Sequence, residues 1–146
     1  MNREAVYQGV YDYIRAAVGA DAAVTWSRQL QHWNDVPEIR QPAIFFAQTG
    51  EELRTDGVRV LWRCGVEIYI YTTADNNADT VSATGMNRIL DQITAAVMPR
   101  SIFGEWDQTL GGLVVDCKIA GKIETDAGTL GRQSVAIVPL SILVEE

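Results

Sequence analysis

The hydrophobic positions of this chain recur with two different periods, and the period changes several times along the sequence. In residues 3–18 the apolar side chains stand three or four positions apart, the spacing of one helical face. Residues 81–97 repeat that spacing and are followed by Pro99, a residue type that ends helices. The pattern therefore predicts two helices, one at the start of the chain and one beyond its middle.

Four other segments show the strict alternation or the short apolar run that is typical of strands. These segments are residues 43–47, 60–71, 113–124 and 133–144. Between them, residues 49–59 and 100–112 are polar or glycine-rich and are predicted as loops. Residues 126–128 are predicted as the turn of a hairpin formed by the last two strands. Residues 23–39 fit no period and are predicted as strand-like or irregular.

The order of these elements is helix, strand, strand, helix, strand, strand. Two pairs of strands around one helix predict an α+β fold with a mostly antiparallel four-stranded sheet and both helices on one face. No internal repeat, linker or low-complexity segment interrupts the 146 residues, so residues 1–146 are predicted to form one domain.

Composition narrows the classes of function. A net charge of −7 opposes tight binding to a phosphate backbone, because no excess of cations exists to release counterions. Cys64 and Cys117 occupy inward strand positions and are predicted to be buried, reduced thiols. The chain has no apolar run long enough for a membrane span and no signal-peptide pattern, so a cytoplasmic site of synthesis is expected.

Sequence motifs of catalysis are missing. The twelve glycines never reach the spacing of a phosphate-binding loop. His32 is the single histidine, and no cysteine or acidic residue stands at zinc-ligand spacing from it. Neither thiol lies on a nucleophile elbow. The sequence therefore predicts a protein that is not an enzyme, with no catalytic, cofactor-binding or metal-binding residue and no cofactor.

The fourth predicted strand carries more apolar surface than one sheet face needs. Residues 134–144 are apolar at nearly every position, whereas two helices cover only one face of a sheet. The other face is then covered either by loops of the same chain or by a second subunit. Self-association is the favoured interpretation.

Six short segments in a fixed order add a resemblance to a known family. They are residues 4–14, 27–36, 41–45, 87–93, 108–114 and 135–140. Taken together they resemble the tail-terminator proteins of long-tailed bacteriophages, also called tail-completion, minor tail or head-tail joining proteins. The resemblance covers most of the chain.

The resemblance implies a small α/β domain that forms a ring, with six subunits, at the head-proximal end of the tail tube. Such a ring stops tube polymerisation and offers a platform to the neck of the filled head. Its implied partners are its own copies, the tail-tube protein and a head-tail connector or stopper protein. Genomic DNA would pass through the lumen without sequence-specific binding, and no membrane is involved. The implied location is the tail/neck junction of a virion assembled in the host cytoplasm.

Two alternatives remain open at this point: a head-tail stopper or adaptor protein of the neck, and a non-viral protein-interaction module. The family has no shared catalytic residues, so the candidate site is an interface. An Arg28–Asp35 contact between subunits competes with a salt bridge inside one subunit. Trp106 is predicted to anchor a partner, with folding back over its own core as the alternative. The candidate interface residues are Arg28, Asp35, Glu51, Glu52, Arg54, Asp56, Arg59, Glu105, Trp106 and Asp107.

Overall fold

The computed structural model describes residues 1–74, 83–102 and 105–146, and the side chains of these residues except 102, 105, 106, 129 and 130. Helix α1 spans Arg3–Val18 and helix α2 spans Thr84–Val97. The Asn2 side chain accepts a hydrogen bond from the Ala5 N–H and caps α1. Gly19 ends α1 with a φ of 102°, a conformation that glycine adopts without steric cost.

A mixed six-stranded sheet packs beside these helices. Its strands are β1 (Thr25–Ser27), β2 (Ala43–Thr55), β3 (Val60–Thr73), β6 (Asp116–Ile119), β7 (Glu124–Leu130) and β8 (Gln133–Glu145). The order across the sheet is β1-β2-β3-β8-β6, and β7 also pairs with β8. Only the β1–β2 pair is parallel among these described pairs. Two short strands, β4 (Arg100–Ile102) and β5 (Glu105–Asp107), pair with each other away from this sheet.

The predicted four-stranded, mostly antiparallel sheet is therefore wrong. The short strand β1 lies in residues 23–39, where no periodicity marks a strand, and it runs parallel to β2. Of the predicted third strand, residues 113–124, only Asp116–Ile119 form β6, and a further strand, β7, begins at Glu124. The two strands follow each other along the same side of β8. Pro139 of β8 accepts from the Ala120 N–H at 2.9 Å but has no N–H to return, so regular pairing breaks opposite it.

Three predicted loops or turns also differ. Residues 126–128 lie inside β7, and the chain reverses at residues 131–132 instead, where Gly131 has a φ of 70°. Residues 100–112 contain β4 and β5. Residues 49–59 are mostly strand, because β2 continues to Thr55 and pairs there with Val60. The sequence showed no strand pattern here because both faces of β2 are exposed beyond Ala47 and carry polar side chains.

Both helices cover the same face of the sheet, here called the first face. The buried side chains of this core come from α1, α2 and alternate positions of the central strands; they include Val10, Ile14, Ile93, Phe46, Ile68, Ile70, Val138 and Ile142. Tyr11 of α1 stacks edge-to-face on Phe46, with ring centroids 5.1 Å apart. Burial alternates along β8 and through residues 64–70 of β3, so successive side chains there point to opposite faces.

The opposite, second face is only half covered. Residues 28–41, here called the cover segment, lie over its lower half, the half that contains β1. Val36, Ala43, Phe45 and Tyr71 are buried together there. The Tyr71 hydroxyl donates to the Gln31 carbonyl oxygen at 2.7 Å and ties the segment to β3. The upper half, towards the β2–β3 turn, has no such cover among the described residues.

Cys64 and Cys117 are free and buried, as predicted. Burial raises the pKa of the Cys117 thiol to about 12, because the thiolate loses its hydration. The folded protein is therefore expected to react with a thiol-specific reagent at pH 8 far more slowly than the urea-unfolded chain. Mass spectrometry of the labelled protein measures this; rapid labelling of both thiols in the folded state would contradict it.

Candidate interaction surface

A shallow hollow of about 440 Å³ occupies the upper half of the second face. Small residues form its floor: Gly65 of β3 pairs with Ser141 of β8 on one side and with Gly50 of β2 on the other. A β-carbon at Gly65 would stand 2.3 Å from the Thr49 Oγ1, so a larger residue there requires Thr49 to move. Pro139 and Ala120 close the hollow on the β8 side.

Charged groups surround this floor. Glu52 and Glu67 border the hollow with Arg63, and Glu52 is paired with Arg54. Glu51 also lies at its edge, but its side chain is bound to Arg3 and Tyr7 of α1 on the first face. Glu67 accepts a hydrogen bond from the Tyr69 hydroxyl at 2.8 Å, and this bond holds the pKa of Tyr69 above its ordinary value. Ser141 and Pro139 are half-buried, in contrast to Leu140 and Ile142, which point into the first-face core. The hollow is therefore a patch with an apolar and small-residue floor and a rim of mixed charge.

The turn between β2 and β3, residues 56–59, is the upper tip of the sheet. Asp56 organises it: its carboxylate accepts from the Arg59 N–H at 2.8 Å and from the Arg59 guanidinium at 2.7 Å. The φ of Gly57 is 89°, in keeping with the left-handed first position of a two-residue hairpin turn. Val58 projects from the turn with 93% of its surface exposed. The tip thus presents one apolar side chain on an ordered turn.

This turn is expected to loosen in acid. The Arg59 N–H, followed by the Arg59 side chain, holds the pKa of Asp56 below its ordinary value. Because the folded pKa is lowered, the turn's ordering is fully present above the ordinary aspartate pKa and is lost as pH falls through the folded one. NMR titration should show Asp56 protonating at lower pH in the protein than in a peptide of residues 53–62. Equal midpoints would contradict the turn geometry.

The predicted interface residues fall into separate groups. Arg28 binds Glu4 at 2.5 Å and Gln8 at 2.9 Å, both on α1 of its own chain. Asp35 lies at the end of a 3₁₀ turn and is exposed. Within the chain Arg28 therefore pairs with Glu4 and not with Asp35, and a contact of Arg28 or Asp35 with a neighbouring copy stays a prediction.

Five of the predicted residues do come together on the β2–β3 hairpin. Glu51 accepts from Arg3 at 2.7 Å and from the Tyr7 hydroxyl at 3.0 Å, which anchors the hairpin to α1. Arg54 pairs with Glu52 at 2.7 Å, and Arg59 pairs with Asp56. These charges belong to a paired hairpin and not to the loop that was predicted for residues 49–59.

The remaining three candidates belong to β5. Glu105, Trp106 and Asp107 pair through their backbones with β4, in a stretch that was predicted as a loop. The side chains of Glu105 and Trp106 lie outside the described residues. The proposed anchoring role of Trp106 therefore stays a prediction.

Sequence reasoning missed the hollow and the exposed Val58. The hollow depends on register, because it forms only where Gly65 stands between Gly50 and Ser141. One sequence signal was present: a glycine inside the clearest alternating strand often marks a bulge or a close backbone approach. A bulge does lie there, between Gln48 and Gly50.

Metal binding and membrane spanning were considered for the described residues. The described residues contain no group of three or more His, Cys, Asp or Glu side chains that could hold a metal ion. No helix in the described ranges is both long and apolar enough to cross a membrane.

Comparison with solved structures shows a likeness of fold. The chain superimposes on a chain of the solved structure described as the virion of a native gene transfer agent (GTA) particle, with a TM-score of 0.51. The two are 12% identical, and the match covers 99% of this chain and 95% of that one. At this identity the likeness shows a shared fold. No family model and no curated protein matches the chain.

Proposed function

We propose that this protein is a structural component of a phage-like virion, and that it caps the head-proximal end of the tail tube as a ring. The observation that carries the proposal is the fold shared over nearly the full length of both chains with a component of a gene transfer agent particle. The six sequence segments that resemble tail terminators support the finer role. In this role the ring stops tube growth and receives the head or neck.

The half-covered second face supports assembly with other copies. Val135, Ile137, Pro139 and Leu143 are half-buried on this face, and the cover segment protects only its lower half. Cyclic closure needs a heterologous interface, in which one patch meets a different patch on the next copy. The hollow and the hairpin tip are two such different patches.

Charge is compatible with a DNA conduit. The chain carries a net charge of −7, and we expect acidic side chains on the surface that faces the lumen and basic side chains at the subunit contacts. Weak repulsion from acidic side chains lets DNA pass without being held. The proposed partners are accordingly other copies, the tail-tube protein and a connector or stopper of the neck, and no catalytic step is proposed.

Native mass spectrometry tests the ring. At micromolar concentration, alone and with tail tubes of the cognate tube protein, we expect a closed species of six subunits. A strict monomer under both conditions would reject the proposal. A ring that binds the neck complex but never the tube would identify a stopper or adaptor instead.

A further inference from the structure

We draw no further inference here: the strongest candidate, the shallow hollow on the upper half of the second face, is an open patch with a rim of mixed charge, and nothing in the structure shows what covers it.

Discussion

Phe45→Ala is expected to lower the free energy of unfolding by about 3–5 kcal/mol, as for other buried phenylalanines. Phe45 is fully buried between the sheet and the cover segment, and its ring centroid lies 5.5 Å from that of Tyr71. Truncation leaves a cavity in a small core that contains only a few large side chains. The Phe45 ring lies directly under the cover segment, so the loss should be concentrated there.

Urea unfolding followed by circular dichroism measures the loss of stability, and hydrogen exchange locates it. The amides of Val36 and Gln41, which donate within the cover segment, should exchange faster than in the unaltered protein. The amides of α1 should change much less. A loss below about 1 kcal/mol would mean that the cover segment is not a packed part of the fold.

Phe46→Ala is expected to cost a similar amount, about 3–5 kcal/mol, but on the other side of the sheet. Phe46 is 5% exposed and packs edge-to-face against Tyr11 of α1. Successive strand residues point to opposite faces, so Phe46 belongs to the first-face core whereas Phe45 lies on the second face.

Each variant is the control of the other. Phe46→Ala should speed exchange of the Gly19 amide, which donates to Arg15 at the end of α1, and should leave the cover segment protected. If both variants loosened the same region, the assignment of these two side chains to opposite faces would be wrong.

Long periodic segments were the predictable part of this fold. The α1 bounds follow directly from the apolar spacing of residues 3–18, and β8 follows from the run near the end of the chain. Elements without a period were not predictable: β1 has three residues, and its place beside β2 is set by contacts distant in sequence. The break in pairing opposite Pro139 also depends on which strand lies beside β8, and a local sequence pattern does not contain that information.

The candidate site was predictable only in part. The charged residues between positions 51 and 59 do lie close together, but on a strand pair and not on the predicted loop. A strand that is exposed on both faces carries polar residues throughout, so its sequence resembles that of a loop. The surplus apolar surface of β8 was inferred from the apolar run in residues 134–144. Its division into a covered half and an open half required the cover segment, whose folding over Phe45 and Tyr71 is a tertiary effect.

The central claim is that this chain caps a tail tube as a ring, and electron microscopy of growing tubes tests it most directly. Cognate tail-tube protein is allowed to polymerise with and without this protein, which carries a gold label on an added terminal tag. The account predicts shorter tubes, each with a labelled ring at one end and none along its side. Tubes of unchanged length whose ends carry no label would contradict it.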